Sequence, residues 1–346
     1  MGAVPAKGTA MTNDSAAHAR FLKVLGLAAI CLTAVATERA ATVTENFATN
    51  PLGRGWRIFG DTNLFLWNAA DQNLSVAWDS SRPNSYFYLP LGTILNRQDD
   101  FSLALDLKLT DIAGGVDPNK PSTFELALGL INLLDATRTN FFRGNPSGSP
   151  NLVELDFFPD TGFGPTIWPS IWSTNSSPNY NGSWDYTLMD LPIGLVMRIT
   201  LSYTASNQTL TTSITTNGVS IGPINAVTNS PTFSDFRVGA FAVASYSDAG
   251  QDPQYGGSLL AHGVLDNVGI TVPLPVENLA GGFMGDHWQV QFLSRTNWLY
   301  TLERTSDFHS WTPASAVTGG NGTNLVLPDT NALAAGAFYR VRAERP

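Results

Sequence analysis

Residues Leu152–Asp160 read LVELDFFPD, and their side chains alternate with a period of two. Because successive side chains of a β-strand point to opposite faces, this pattern predicts a strand with one apolar and one acidic face. The first face carries Val153, Leu155 and Phe157, and the second carries Glu154, Asp156 and Phe158. The two carboxylates are one strand repeat apart, about 6–7 Å. Such a pair in an all-β chain is typical of a sugar-binding or metal-binding site.

Similar alternation recurs along most of the chain from Ala41 to Val272. Short alternating runs are separated by clusters of glycine, proline and asparagine, and one short stretch near 130–138 has a helical pattern. The runs lie at residues 101–109, 124–130, 197–203, 210–214 and 264–272. Many short strands separated by turns predict an all-β fold, a sandwich or jelly roll, over residues 41–272.

A second, smaller unit is predicted to follow. Prolines end the last strand, and Gly281–Gly282 loosen the chain, so residues 273–282 are interpreted as a linker. Residues 283–346 contain further alternating runs, at 288–292, 299–304 and 338–342. They predict a small C-terminal β-sandwich-like domain.

Residues 1–40 have the pattern of an export signal. Arg20 and Lys23 precede an apolar run that ends at Ala34–Ala36, a cleavage site of the A-x-A type, and Ala40 offers a second site. The run is short for a membrane span. We therefore expect a secreted or cell-envelope protein with no stable membrane span after cleavage. An uncleaved anchor is the alternative.

The chain has one cysteine, Cys31, which lies inside the predicted signal. The mature protein should therefore contain no disulfide, no thiol nucleophile and no cysteine metal site. An exported protein without disulfides is typical of a bacterial envelope or extracellular protein whose core is large enough to be stable alone.

Charge is uneven along the chain. Residues 41–282 contain 21 Asp and Glu against 10 Lys and Arg, whereas residues 283–346 contain 5 of each. The acidic excess disfavours nucleic acid and other polyanions as partners. Neutral glycans or cations are better matched to it.

The first unit resembles the concanavalin A-like lectin/glucanase superfamily. The resemblance implies two packed antiparallel sheets with a concave ligand face. It is carried by Glu45–Phe47, Trp56, Asp100–Phe101, Val153–Asp160 and Leu265–Val268. The second unit resembles a short C-terminal β module of secreted proteins of some environmental bacteria, on the basis of Tyr300–Glu303, Ser306–Asp307, Trp311–Pro313 and Phe338–Val341.

Laminarinase- and lichenase-like hydrolases of this superfamily carry E-x-D-x-E or E-x-D-x-x-E on the central strand. The resemblance implies Glu154 as nucleophile and Asp156 as the residue that tunes it. The third carboxylate, the general acid/base, would fall at Phe158 or Pro159, neither of which can transfer a proton. Asp160 is shorter and lies beyond the proline.

Legume-type lectins carry E-x-D-x-aromatic-x-Asn/Asp on the equivalent strand, where these residues bind metals. Glu154, Asp156, Phe158 and Asp160 match this spacing, which suits a hard cation with oxygen ligands. The next Asp and His of the lectin pattern fall at Pro165 and Ser170, so a double metal site is not expected. A single calcium site remains open, and so does a plain solvated face.

Aromatic residues are dense just after this strand. Aromatic rings stack on the apolar faces of sugars, and Asn or Asp side chains bind their hydroxyls, so this composition is typical of a sugar-binding loop. The segment contains Trp168, Trp172, Tyr180, Trp184 and Tyr186 among Asn175, Asn179, Asn181 and Asp185. Alternatively, half or more of these rings pack in the core or within the loop.

Asp266 is a candidate calcium ligand. The pattern predicts that it shares a strand face with Val264, Val268 and Ile270, where a carboxylate without a partner is costly. The superfamily resemblance implies a structural calcium held by this terminal-strand Asp and by backbone carbonyls from near the N-terminus, with Glu45 or its neighbours on the other side. The alternative is that Asp266 caps backbone N–H groups.

These patterns together predict a secreted, non-catalytic, lectin-like protein that binds a polysaccharide or other glycan. The ligand-binding candidates are Glu154, Asp156, Asp160, Trp168, Trp172 and Trp184. A glycoside hydrolase that uses Glu154 and Asp156 is the first alternative, and a structural or adhesive envelope protein is the second. The sequence leaves the glycan and the oligomeric state open.

Overall fold

The computed structural model describes residues 40–143, 149–160, 162, 164–174, 182–251, 256–331 and 336–345. The predicted signal up to residue 39, with Cys31 and the first cleavage site, lies outside the described residues. So do four of the residues of the aromatic segment, Tyr180, Asn175, Asn179 and Asn181. Across the described part of the chain, no helix is long and apolar enough to cross a membrane.

In its described residues, the larger unit contains seventeen strands and one short α-helix. The strands are β1 (Ala40–Glu45), β2 (Arg57–Phe59), β3 (Phe65–Asn68), β4 (Asn73–Asp79), β5 (Ser85–Leu95), β6 (Phe101–Gly114), β7 (Leu126–Ile131), β8 (Leu152–Phe158), β9 (Thr166–Trp172), β10 (Gly182–Trp184), β11 (Thr187–Leu188), β12 (Val196–Thr204), β13 (Thr209–Thr216), β14 (Val219–Ile221), β15 (Val227–Thr228), β16 (Val238–Ser245) and β17 (Leu259–Pro273). The helix α1 (Leu133–Ala136) follows β7, and two 3-10 turns lie at Pro51–Arg54 and Thr62–Leu64.

These strands form two antiparallel sheets. The nine-stranded sheet has the order β14-β13-β12-β6-β17-β4-β3, with β1 beside β17 and β15 beside β13. The eight-stranded sheet has the order β10-β9-β8-β7-β16-β5-β2, with β11 beside β9. Strands distant in sequence are therefore neighbours, as in β6 and β17, and the chain crosses repeatedly between the two sheets.

The core lies between the sheets and follows from the period of two. Leu103, Leu105 and Leu107 of β6 are buried, and so are Leu155 and Phe157 of β8. They belong to one continuous apolar cluster. Each fully buried side chain of this size contributes about 1.5–3 kcal/mol. The all-β, jelly-roll sandwich predicted from the alternating runs is confirmed.

The C-terminal part forms two small sheets around its own apolar cluster. Its strands are β18 (Glu277–Met284), β19 (His287–Leu293), β20 (Leu299–Thr305), β21 (Thr312–Pro313), β22 (Thr318–Gly319), β23 (Asn324–Asp329) and β24 (Phe338–Glu344). One sheet has the order β18-β19-β23, and the other is β21-β20-β22 with β24 beside β20. The cluster is centred on Phe292, Tyr300 and Leu302.

The segment interpreted as a linker is largely part of these strands. β17 continues to Pro273 and β18 begins at Glu277, so only residues 274–276 lie between them. These residues are also bound: the Arg295 guanidinium donates to the Leu274 carbonyl at 2.6 Å, and the Tyr300 hydroxyl donates to the Pro275 carbonyl at 2.8 Å. The glycine pair lies inside β18, opposite Val290 and Gln289 of β19.

Candidate functional site

Glu154 and Asp156 lie on the outer face of the eight-stranded sheet, the face turned away from the core. Their neighbours Val153, Leu155 and Phe157 point into the core, as the alternation requires. Both carboxylates are nevertheless fully buried. Part of the outer face is therefore covered, and the covering segment decides what the site can do.

The cover is the segment 132–143 between β7 and β8, which we call the strap. Asn132 begins α1 by accepting hydrogen bonds from Leu134 and Asp135 N–H groups. The strap is tied to β5 and its approach, where the Tyr86 hydroxyl donates to the Ala136 carbonyl and the Asn84 amide to the Phe141 carbonyl, both at 2.9 Å. Small side chains on the outer face are fully buried beside it, namely Ala127, Ala242 and Ala244.

Arg143, at the end of the strap, enters the acidic face. Its guanidinium lies 3.2 Å from Glu154 Oε2, 2.6 Å from Asp156 Oδ2 and 3.3 Å from Glu125 Oε1. Glu125 directly precedes β7 and is buried as well. Three carboxylates therefore share one guanidinium, and charge-assisted contacts of this kind are the strong ones.

Neutral hydroxyl groups complete the cluster. The Tyr246 hydroxyl donates to Glu154 Oε1, and the Ser170 hydroxyl donates to Asp156 Oδ2 at 3.1 Å. Tyr246 follows β16, and Ser170 is opposite Glu154 in the β8–β9 register. Three carboxyl groups, one guanidinium and two hydroxyl groups thus meet in a buried space.

Burial dominates the titration of this cluster. It raises the pKa of Glu154 to about 7, with the charge of Asp156 as the second cause. Burial also raises the pKa of Asp156, and it raises that of Glu125 well above the ordinary range. For Arg143 burial alone would lower the pKa, but the charges of the three carboxylates outweigh it and raise that pKa. Burial therefore favours the protonated form of each acid, whereas the Arg143 charge favours the ionised form.

Beside the acids lies a layered group of aromatic rings. Trp168 and Trp172 of β9 contact Arg143, whose guanidinium carbon is 5.6 and 5.7 Å from their ring centroids. The outer layer is Trp184 and Tyr186, 43% and 53% exposed. Trp184 stacks on Trp172 with centroids 4.8 Å apart, and Tyr186 stacks on Trp168 at 5.0 Å. Two flat rings thus face solvent on a rigid aromatic base.

The stacking of Trp172 and Trp184 depends on a glycine. Gly182 of β10 pairs with Trp172 of β9. A Cβ at Gly182 would lie 2.3 Å from the Trp172 ring and 2.9 Å from that of Trp184. No larger residue can occupy this position without displacing the rings.

The structure brings five of the six predicted ligand-binding residues together. Glu154 and Asp156 form the buried acid cluster, whereas Trp168, Trp172 and Trp184 form the adjoining aromatic group. Asp160 is apart from them: it is exposed beyond Pro159, and its Oδ1 accepts a hydrogen bond from Gly162 N at 2.9 Å. At the position of the missing third carboxylate, the Phe158 ring packs against Trp168 with centroids 5.5 Å apart.

Sequence reasoning missed Glu125, Arg143 and Tyr246. Glu125 did leave a signal, because it is the one charged residue within the alternating run at 124–130. Arg143 left none, since the strap has no repeating pattern and its end is placed by tertiary contacts alone.

The predicted calcium site has a different arrangement. Glu45 is buried, but both of its oxygens accept hydrogen bonds from the Arg54 guanidinium, and Phe47 N donates to Oε1 at 2.6 Å. Asp266 Oδ1 accepts a bond from Asn267 N at 2.7 Å. Since a guanidinium already neutralises Glu45, the carboxylate of this residue does not fit a calcium ligand. Calcium binding itself stays a prediction.

The face assigned to Asp266 requires a correction. β17 contains a bulge between Asp266 and Gly269, with Asn267 in the left-handed region at φ 48°. The extra residue shifts the alternation, so Leu265 and Val268 are both buried whereas Asp266 is half-buried on the outside. Asp266 therefore does not share the face of Val268 and Ile270. Burial still raises its pKa, and its bond to Asn267 N matches the capping alternative.

The solved structures similar to this chain include alginate lyases and legume lectins. The PL-14 alginate lyase from Aplysia kurodai aligns with 14% identity over 67% of this chain and 98% of that chain, with a TM-score of 0.41. The legume lectin-like domain from Entamoeba histolytica aligns with 11% identity over 65% and 94%, at 0.36. Arcelin-5 from Phaseolus vulgaris aligns with 10% identity over 68% and 99%, at 0.34.

No protein-family model matches the chain, and neither does any curated protein. The lyases and lectins found have concanavalin A-like jelly-roll folds, the fold that the sequence predicted. At TM-scores below 0.5 these alignments carry no argument about this chain. Any function has to be argued from the site itself.

Proposed function

We propose that this protein binds a neutral polysaccharide, without cleaving it, through the exposed rings of Trp184 and Tyr186. The observation that carries the proposal is the layered stack: two solvent-facing rings, each backed by a buried or half-buried tryptophan. Rings fixed in this way lose little freedom when a sugar stacks on them, so little entropy opposes binding. The predicted export to a secreted or envelope location belongs to the same proposal.

The burial of the acids supports binding rather than hydrolysis. Retaining hydrolysis needs two carboxyl groups about 5–5.5 Å apart on either side of the scissile bond. Glu154 and Asp156 have no solvent contact, and both Glu154 oxygens and Asp156 Oδ2 are bonded to Arg143, Tyr246 or Ser170. A sugar on Trp184 does not reach them while the strap is in place.

Local charge supports a neutral ligand. Asp185 lies between the two exposed rings and is itself exposed, and the Arg143 guanidinium is enclosed by carboxylates. Among the described residues around these rings, no cationic side chain is therefore available to bind a sulfated or uronate-rich chain.

Substitution of the outer rings tests the proposal. Trp184→Ala and Tyr186→Ala should each weaken glycan binding roughly tenfold, since a lost stacking contact costs about 1–2 kcal/mol. Leu188→Ala is the matched control, because Leu188 is an exposed apolar residue on the adjoining strand β11. Affinity would be measured by calorimetry with the best ligand from a panel of neutral β-glucans and agarose. Equal affinities of all three variants and wild type would contradict the proposal.

A turnover assay separates binder from enzyme. The wild type should release no reducing ends from laminarin, lichenan or agarose. Release that is abolished in Glu154→Gln would overturn the non-catalytic assignment in favour of the hydrolase.

A further inference from the structure

The surroundings of Arg143 are those of a bound cation rather than of an ordinary salt bridge. Three carboxylates lie within 3.3 Å of its guanidinium. The rings of Trp168, Trp172 and Tyr246 surround it with centroids 5.6, 5.7 and 5.9 Å from the guanidinium carbon. Such aromatic faces attract cations, most strongly where water is excluded. The group enclosed here is a side chain of the protein itself.

The strap that carries Arg143 lies outside the two sheets. It adds no strand to either sheet, and α1 has four residues, too short to be stable alone. Its Asn132 and Asp135 are hydrogen-bonded to Asn151, other bonds join it to Tyr86, Asn84 and the Arg237 carbonyl, and its Phe141 ring is buried against Tyr246. Among the described residues of the strap, Arg143 is the one that forms ion pairs with the acidic face.

The face under the strap has a composition suited to a ligand site. Its floor is made of the smallest side chains, Gly129 and the alanines at 127, 240, 242 and 244. Hydroxyl-bearing rings flank it, namely Tyr86, Tyr88 and Tyr246. Small floors with aromatic and polar walls are typical of ligand sites.

Several polar atoms at this face lack hydrogen bonds. Glu125 Oε1, Asp156 Oδ1 and Trp168 Nε1 are buried without a hydrogen-bond partner among the described residues. Glu125 Oε1 is near the Arg143 Nε atom, but the contact lacks hydrogen-bond geometry. Unsatisfied buried groups are costly in a permanently closed site. They would meet sugar hydroxyls if the strap moved away.

We propose that the outer face carries a cation-recognition pocket that the protein fills with its own Arg143, and that this side chain latches the strap over a sugar-binding cleft. The cleft continues inward from the exposed rings of Trp184 and Tyr186, so this inference rests on the proposed function. The closed form binds a glycan only at the exposed rings of Trp184 and Tyr186, which form the rim site. The open form offers the floor and the tyrosines to a longer chain.

Chemical rescue tests the latch. Arg143→Ala should free the strap, so that amides of residues 132–142 exchange with deuterium at least tenfold faster and a long glycan binds several-fold more tightly. Millimolar guanidinium, far below denaturing concentrations, should refill the pocket and reverse both effects. Sodium chloride or urea at the same concentration should reverse neither effect.

The matched control is Arg198→Ala, which removes an arginine paired with Asp106 on the other sheet. It should show neither the faster strap exchange nor a response to guanidinium. The latch is refuted if guanidinium acts alike on both variants, or if strap exchange in Arg143→Ala equals that of wild type.

If Arg143→Ala does not fold, amide hydrogen–deuterium exchange of the wild type tests the latch instead. A latched strap opens locally, so its amides exchange faster than those of β7 and β16 and with little dependence on added urea. Exchange of the strap only through global unfolding overturns the inference.

The two proposals fail separately. Loss of binding in Trp184→Ala without guanidinium rescue of Arg143→Ala leaves the rim site standing and removes the latch. Rescue of Arg143→Ala with undiminished binding by Trp184→Ala keeps the pocket and its latch on the strap, and removes the binding site proposed at the exposed rings.

Discussion

Glu154 shows how a single buried carboxyl makes stability depend on pH. Its pKa is about 7 in the folded protein, raised by burial and by Asp156, whereas an unfolded glutamate titrates near its ordinary value of about 4.3. Between these two values the folded state binds more protons than the unfolded state. Stability from this group is therefore full below the unfolded pKa and falls as pH rises towards the folded pKa.

Glu154→Gln should flatten this dependence. One proton of difference corresponds to about 1.4 kcal/mol per pH unit, so the free energy of unfolding of wild type should fall between pH 5 and 7 by up to that slope, and the slope should be smaller in the variant. Urea unfolding at several pH values measures it. Asp160→Asn, an exposed carboxyl beyond the same strand, is the control. A slope unchanged by Glu154→Gln would refute the raised pKa.

The ion pair of Glu45 and Arg54 predicts that Arg54, rather than calcium, stabilises this part of the protein. Because the guanidinium bonds both carboxylate oxygens, Arg54→Gln should destabilise the protein by about 1–2 kcal/mol, discounted for the partial exposure of Arg54. Chelation should leave the melting temperature of wild type unchanged. Scanning calorimetry with and without EDTA tests both statements. A fall in melting temperature on chelation would restore the calcium site predicted from sequence.

The strands and the faces of their side chains could be predicted from the sequence wherever the period of two persists. The alternation in β8 placed Glu154 and Asp156 on one face, and the β6 pattern gave its buried leucines. Prediction failed where the period breaks. The bulge in β17 moved Asp266 to the other face, and the strap has no period that could place Arg143 among the acids. Burial of the acidic face was unpredictable for the same reason.

The β17 bulge yields a prediction of its own. Asn267 holds φ 48°, a region costly for side chains other than Gly, Asn and Asp, and its amide donates to Asp106 Oδ2 at 2.8 Å. Asn267→Val should cost about 1–3 kcal/mol in unfolding free energy, and Asn267→Gly less. Thr271→Val, on the same strand, controls for a β-branched residue. Equal losses in Asn267→Val and Asn267→Gly would show that φ is not the cause.

At the scale of the whole molecule, Asp99 joins the two units. It is buried, and Arg345 near the C-terminus pairs with it through two hydrogen bonds of 2.6 and 3.0 Å. Arg345 also donates to the Ile94 carbonyl at 2.7 Å and lies over the ring of Trp298. The proline- and glycine-containing segment at 273–282 suggested a loose linker, but local composition carries no information about a contact made by residues 246 positions apart.

Arg345→Met should therefore uncouple the units. Breaking a buried pair costs about 3 kcal/mol, and the variant leaves Asp99 only the more distant Arg295 at 3.8 Å, so the C-terminal unit should melt before the rest and be cleaved by protease near residues 274–276. Arg342→Met is the matched control, since Arg342 is half exposed and pairs with Glu303 and Glu344 inside its own unit. In the double variant Asp99→Asn/Arg345→Met, the loss should be less than the sum of the single losses, because both changes remove one interaction. Strictly additive losses, or equal protease sensitivity of Arg345→Met and Arg342→Met, would mean that the two units are held together by other contacts.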